Sequence, residues 1–150
     1  MSDLRELYQE VILDHGRKPR NFREIEDADL NAAGFNPLCG DKIKIYLNRD
    51  DDKLGEIAFQ GAGCAISMAS ASILTQVLKG KTLEEATEIA SEFNKMVTGE
   101  PGQEIEAETL GKLAAFAGVC EFPNRVKCAT LAWHTLRAAL DNSDEAASTE

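Results

Sequence analysis

The sequence lacks the features that mark membrane, exported and nucleic-acid-binding proteins. None of its apolar runs is long and uncharged enough to span a bilayer, and the first ten residues show no basic patch followed by an apolar segment. Basic side chains are in the minority, with 16 Lys and Arg against 26 Asp and Glu, which disfavours binding to a phosphate backbone. We therefore expect a cytoplasmic protein whose partners include neither nucleic acid nor a membrane.

Proline is also scarce, at 4 residues, while 43% of the sequence is apolar, so the composition is neither fibrous nor disordered. A length of 150 residues suits one domain, which we predict over residues 1–140. Residues 141–150 lack apolar anchors and are predicted to form an acidic disordered tail. Acidity is also concentrated in residues 82–108, where eight carboxylates accompany one lysine, so the rest of the chain is nearly neutral.

Hydrophobic periodicity changes along the chain from helix to strand and back to helix. Apolar residues alternate with polar ones at 43–47 and return at 57–59, which predicts a β-hairpin, and 31–36 is a candidate third strand. Helical spacing occurs in five segments, 4–14, 65–78, 82–97, 109–117 and 123–140. This order predicts an α+β domain in which a small antiparallel sheet of about three strands packs against five or so helices.

Two of the four cysteines lie where one predicted element gives way to the next. Cys39 and Asp41 flank Gly40, whose backbone freedom can bring a thiolate and a carboxylate toward one point at the mouth of the hairpin. Cys64 lies at the crossing from strand to helix, where unpaired helix N–H groups favour a thiolate over a thiol. No two cysteines have the C-x-x-C spacing, which disfavours a thioredoxin-like oxidoreductase.

The other two cysteines have different surroundings. Cys128 follows Arg125 and Lys127 in the first turns of the last helix, so we expect positive surroundings that favour its thiolate. Cys120 lies in a turn between helices, and we interpret it as a small apolar filler, with a role as an auxiliary thiol left open.

Three thiolates and one carboxylate form a suitable tetrahedral donor set for Zn²⁺, and sulfur-rich sets also bind iron–sulfur clusters. The cysteines of this set are separated by 25 and then 64 positions, so they meet only if the fold gathers them. The spacing therefore leaves two interpretations open: a metal site made of Cys39, Asp41, Cys64 and Cys128, or buried inert cysteines.

The histidines and large aromatics have simpler interpretations. His15 and His134 lie in helical patterns without supporting polar groups, so we interpret both as structural or exposed. Phe93 and Trp133 fall on apolar helical stripes and are predicted to lie in the core.

Four motifs in order along the chain point to a known family. They are Asp14-His15 with residues 19–21 (PRN), residues 36–41 (NPLCGD), residues 61–67 (GAGCAIS) and residues 127–133 (KCATLAW). Together they resemble the IscU/NifU-type iron–sulfur assembly proteins over about residues 8–135. Lys127, where the IscU branch has a histidine, and an extra segment at 96–118 favour the SufU branch of that family.

The resemblance implies an IscU-like fold and one Zn²⁺ bound by Cys39, Asp41, Cys64 and Cys128. It also implies that Cys39 accepts persulfide sulfur from a SufS-type cysteine desulfurase and passes it toward a downstream iron–sulfur scaffold. Arg125 could stabilise the persulfide or contact an acidic patch on the partner, and the alternative is an ordinary surface arginine.

Two further functions compete with this sulfur relay. The same four ligands could carry a transient [2Fe–2S] cluster, which would make the protein a scaffold, although Lys127 favours the relay. A non-catalytic module held together by zinc is disfavoured, because a chain of this length with several apolar helical faces should fold without a metal.

Overall fold

The computed structural model describes residues 2–100, 103–104, 107–141 and 147–148. Its α-helices are α1 (Ser2–Arg17), α2 (Ala65–Leu78), α3 (Leu83–Thr98), α4 (Ala107–Leu110) and α5 (Pro123–Leu140). A 3-10 helix, Gly111–Glu121, links α4 to α5. The strands are β1 (Leu30–Asn36), β2 (Asp41–Asp50), β3 (Lys53–Ala62) and the two-residue β4 (Ala147–Ser148). This arrangement confirms the predicted α+β class.

The sheet has the order β3-β2-β1-β4, in which β2 pairs antiparallel with both β1 and β3. The candidate strand at 31–36 is therefore confirmed as β1. Ile43, Ile45 and Leu47 point into the core from β2, as the alternation predicts. At the end of the β1–β2 ladder Asn36 pairs with Asp41, so the turn that contains Cys39 starts and ends at fixed positions.

The helices form a layer over one face of the sheet, where α2 and α5 contribute many of the fully buried side chains. The Phe93 ring of α3 stacks on Trp133 of α5 at 4.9 Å between centroids, and Phe116 of the 3-10 helix meets Phe93 edge-on at 5.7 Å. Both predicted core aromatics are confirmed. α3 begins with a capping box between Thr82 and Glu85.

One predicted helix differs from the structure, and most of the predicted tail lies outside the described residues. The helix predicted over 109–117 is wrong: α4 ends after one turn because Gly111 adopts a φ of +54°, and a 3-10 helix follows. Of the predicted acidic tail, residues 142–146 and 149–150 lie outside the described residues, while β4 runs parallel to β1 at Gly34 and Phe35. Within the described ranges, no helix combines the length and hydropathy needed to cross a membrane.

Candidate metal centre

Three parts of the fold converge on the four predicted ligands. The β1–β2 turn carries Cys39 and leads into Asp41, the first residue of β2. Cys64 is the N-cap of α2, and Cys128 lies in the second turn of α5. Gly40 has a φ of +74° and donates its backbone N–H to Asn36 O at 2.8 Å, which closes the turn beneath Cys39.

The donor atoms lie close together. The ligating atoms of Cys39, Asp41 and Cys128 are all within 4.8 Å of one another, and the Cys39 and Cys128 sulfurs are 3.5 Å apart. The Cys64 sulfur lies 4.0 Å from Asp41 Oδ2, at the edge of this group. The fold thus brings together all four side chains, and metal binding by them stays a prediction.

The four donors differ in their access to solvent. Asp41 and Cys128 are buried, with 1% and 3% of their surfaces exposed, whereas Cys39 and Cys64 are exposed. The Asp41 carboxylate accepts the backbone N–H of Cys64 at Oδ1, 2.8 Å away. The buried side of the site thus consists of the Asp41 carboxylate and the Cys128 thiol, and its solvent-facing side consists of the Cys39 and Cys64 thiols.

The surroundings of Cys128 differ from the expectation that they favour a thiolate. Burial raises the pKa of the Cys128 thiol, and side-chain hydrogen bonds with Cys64, Cys39 and Asp41 raise it further. Sequence proximity to Arg125 and Lys127 therefore does not decide the charge of this sulfur. A bound cation would reverse the preference, because metal coordination deprotonates a thiol.

Asn36 belongs to the site although the sequence analysis gave it no role. Its side chain is fully buried, and Nδ2 donates to Asp41 Oδ2 at 3.1 Å and to Cys128 Sγ at 3.4 Å. Within the described part of the chain, its Oδ1 is the one buried side-chain nitrogen or oxygen without a hydrogen-bond partner. Strand alternation offered a signal, because Ala32, Gly34 and Asn36 face the core and an amide is unusual there.

The donor chemistry suits Zn²⁺, which binds thiolates and carboxylates in closed tetrahedral sites. Three sulfurs and one oxygen converge here, and the buried carboxylate is already oriented by two N–H donors. Sulfur-rich donors disfavour Mg²⁺ and Ca²⁺, which prefer oxygen.

Within the described part of the chain, the other cysteine and the two histidines singled out in the sequence do not belong to this donor group. Cys120 is half-buried, and its sulfur lies 3.4 Å from Ala117 O. His15 is buried and bonded to Ser72, so its structural interpretation is confirmed, and His134 is exposed on α5. The Arg125 guanidinium lies 4.4 Å above the Phe122 ring.

Comparison with known proteins identifies the family. Residues 7–129 match the model of the NifU-like N-terminal domain. The chain belongs to this family. The resemblance to IscU/NifU-type proteins drawn from the motifs is therefore confirmed.

Relatives of this NifU-like domain include both branches considered above. The iron–sulfur cluster assembly scaffold protein IscU of Streptococcus pyogenes is 41% identical over 97% of this chain and 90% of its own length. The zinc-dependent sulfurtransferase SufU of Bacillus subtilis is 41% identical over 90% of both chains. The crystal structure of an iron–sulfur cluster assembly scaffold protein for the SUF system from Fervidobacterium islandicum aligns with a TM-score of 0.81 at 37% identity, covering 87% of this chain and 94% of that one.

Proposed function

We propose that this IscU/SufU-type chain serves iron–sulfur cluster assembly as a zinc-dependent sulfurtransferase. Cys39 accepts persulfide sulfur from a SufS-type cysteine desulfurase, and the sulfur passes to a downstream iron–sulfur scaffold. The observation that supports this most is the position of Cys39, an exposed thiol whose sulfur lies 3.5 Å from that of buried Cys128. Such a thiol can belong to a metal site and still meet a partner.

In this proposal Cys39, Asp41, Cys64 and Cys128 hold one Zn²⁺. When bound, the ion keeps the cysteine sulfurs ionised, which offsets the effect of burial at Cys128. Asp41 supplies a harder oxygen donor among the sulfurs, and this mixture makes the ligand set easier to rearrange.

Cys39, Asp41, Cys64 and Cys128 would hold the Zn²⁺, and the Cys39 thiolate would attack only when uncoordinated, because a metal-held thiolate is a poor nucleophile. By family analogy, a histidine of the desulfurase would complete the donor set in place of Cys39. The free Cys39 thiolate then attacks the outer sulfur of the desulfurase persulfide. A new S–S bond forms on Cys39, the S–S bond of the donor breaks, and the donor cysteine departs as a thiolate. This sulfur transfer exchanges one S–S bond for another, so it requires neither an oxidant nor a reductant.

Two further features support this function: the position of Arg125 and the free state of the cysteines. The Arg125 guanidinium stacks on Phe122, and both side chains line a groove against α1. We therefore assign Arg125 the role of contacting an acidic patch on the desulfurase. All four cysteines are free, which suits the reducing cytoplasm.

Intact-mass spectrometry after mixing the zinc-loaded protein with the desulfurase and free cysteine tests this function. We expect a mass gain of one sulfur atom, and peptide mapping should locate it on Cys39. The Cys39→Ser variant should take up no sulfur, whereas the matched Cys120→Ser variant should behave like the wild type. Absence of a sulfur adduct, together with unchanged desulfurase turnover, would overturn the proposal.

A second candidate function is a scaffold that carries a [2Fe–2S] cluster as its cargo. The observation that favours it is the same convergence of three sulfurs and one carboxylate, a set able to ligate iron. Tightly bound Zn²⁺ after aerobic purification, with desulfurase activation that needs Cys39, supports the relay. Cluster assembly that depends on the desulfurase and ends in transfer to an apoprotein supports the scaffold.

A further inference from the structure

We infer that Asn36 is a positioning residue that fixes Asp41 and Cys128 in the metal centre and leaves Cys39 as the ligand free to depart. The inference rests on the proposed zinc site and adds to it a residue that sorts the ligands into fixed and exchangeable ones. It is drawn from the hydrogen bonds of one fully buried amide.

Both donors of the Asn36 amide are directed at proposed ligands. A primary amide has two N–H groups, and Nδ2 lies 3.1 Å from Asp41 Oδ2 and 3.4 Å from Cys128 Sγ. The backbone at Asn36 is held as well, because it pairs with Asp41 at the end of the β1–β2 ladder and accepts the N–H of Gly40. The amide is therefore anchored at both its backbone and its side chain.

The oxygen of the same amide shows that its orientation serves the ligands. Asn36 Oδ1 is buried and has no partner in the described part of the chain. Rotating the amide by half a turn would place this oxygen against the Asp41 carboxylate, where two acceptors repel, and would deprive Cys128 of a donor. The fold accepts one unsatisfied acceptor to keep both N–H groups on the site, and buried atoms of this kind are rare in native proteins.

These bonds divide the donors into two classes. Asp41 is held by Asn36 and by the backbone N–H of Cys64, and Cys128 is buried and held by Asn36. Neither Asn36 bond reaches the exposed thiols of Cys39 and Cys64. Cys64 is fixed at the start of α2, with Ser67 Oγ 3.8 Å from its sulfur, whereas Cys39 lies on the turn that Gly40 closes with a positive φ. Hydrogen bonds from outside the ligand set orient metal ligands, so Asn36 should retain Asp41 and Cys128 while Cys39 exchanges.

The Asn36→Leu variant tests this role, since leucine has the same branching as asparagine and fills the same space without an N–H donor. Competition with a chromophoric chelator should give a Zn²⁺ dissociation constant about 10–100-fold higher than that of the wild type. Asn31→Leu is the matched control, because Asn31 is an exposed asparagine of the same strand. Its zinc affinity should equal that of the wild type.

Alkylation of the zinc-loaded protein, resolved by peptide mass spectrometry, separates positioning from mere stability. In the wild type Cys39 should react first while Cys128 stays protected. In Asn36→Leu the reaction of Cys128 should speed up about tenfold. Half-buried Cys120 is outside the donor group and reports on the fold. If Asn36→Leu exposes Cys120, the same alkylation measurement on Asn36→Ala decides between a positioning role and a purely structural role of Asn36.

Each outcome is decisive. Unchanged zinc affinity with a protected Cys128 overturns the inference, and so does loss of Cys120 protection in both Asn36 variants, since Asn36 would then serve only folding. A wild type that binds no Zn²⁺ overturns the proposed function itself. A wild type that binds Zn²⁺ and reacts first at Cys39, beside an Asn36→Leu variant that behaves identically, overturns the inference alone.

Discussion

The sulfurs of Cys39 and Cys128 lie 3.5 Å apart although 89 positions separate these residues in the chain. One thiol is exposed on the β1–β2 turn, and the other is buried at the start of α5. Only the tertiary fold brings them together, so their reactivity toward each other reports on whether the site is assembled and occupied.

The first prediction concerns oxidation of this pair. After removal of the metal with a chelator, diamide should form a disulfide between Cys39 and Cys128, because the exposed thiol reacts first and the buried sulfur lies 3.5 Å from it. Zinc-loaded protein should resist, since both sulfurs are then ligands. Peptide mapping without reductant identifies the link. Cross-linking of Cys120 in place of Cys128 would contradict the predicted geometry.

A glycine beside the site supports the second prediction. A Cβ placed on Gly63 would overlap Asp41 Oδ1 and come within 2.8 Å of Ser67 Oγ, a hydroxyl that is itself fully buried. The Gly63→Ala variant should therefore displace the Asp41 carboxylate from the Cys64 N–H. Zinc affinity should fall about 10–100-fold, as when support for a ligand is removed.

Gly118→Ala is the matched control for this substitution. A Cβ on Gly118 meets no atom within 4 Å, so zinc affinity should not change. Its thermal stability should stay close to that of the wild type, because restriction of the unfolded chain contributes only about 0.4–1 kcal/mol. Equal loss of zinc affinity in both variants would show that Gly63 has no specific relation to Asp41.

The regular elements were predictable where local chemistry determines them. Alternation of Ile43, Ile45 and Leu47 predicts a half-buried strand, and the capping box of Thr82 and Glu85 predicts the start of α3. The 3-10 helix was not predictable from periodicity, since Leu113, Phe116 and Val119 recur every three residues, a spacing that an α-helix also allows. The positive φ of Gly111 marks the end of α4.

The sequence predicted which four side chains converge and did not predict their environment. Motifs nominated Cys39, Asp41, Cys64 and Cys128, yet spacing could not show that α5 would bury Cys128 and raise its pKa. Asn36 was overlooked for a related reason. Its role depends on two hydrogen bonds, one of them to a residue 92 positions away, and no local pattern encodes such a contact.

The third prediction addresses docking at the turn that carries Cys39. Leu38 precedes the proposed sulfur acceptor with 57% of its surface exposed, a large apolar side chain that a partner reaching Cys39 should cover. Leu38→Ser should raise the concentration needed for half-maximal desulfurase activation about 10–100-fold, because losing the burial of one leucine costs roughly 1.5–3 kcal/mol. Zinc affinity should stay constant.

Leu7→Ser is the matched control for the docking prediction. Leu7 lies on α1 and is exposed to a similar degree, 53%. Its substitution should leave desulfurase activation unchanged. Equal weakening by both variants would mean that the effect comes from general surface hydrophobicity and does not depend on proximity to Cys39.

The fourth prediction is a pH dependence of folding that arises at His15. The His15 Nδ1 lies 2.7 Å from Ser72 Oγ, which also accepts the backbone N–H of Arg20 at 2.8 Å, so one hydroxyl ties the end of α1 to α2. Burial lowers the pKa of His15 from 6.5, and the charges of Arg20 and Lys112 lower it further while Asp14 opposes them. The native state therefore favours the neutral imidazole more strongly than the unfolded chain does.

Because the unfolded chain binds a proton at His15 more readily than the native one, the free energy of unfolding should fall as pH drops below about 6.5 and stop falling on this account below the lowered native pKa. The His15→Gln variant, which can still reach Ser72 with a neutral polar group, should show a flatter profile over that window. Urea midpoints of metal-free protein at a series of pH values measure it without interference from zinc release. His134→Gln separates the contribution of the exposed histidine. A His15→Gln profile as steep as that of the wild type would contradict the prediction and assign the pH dependence to other groups.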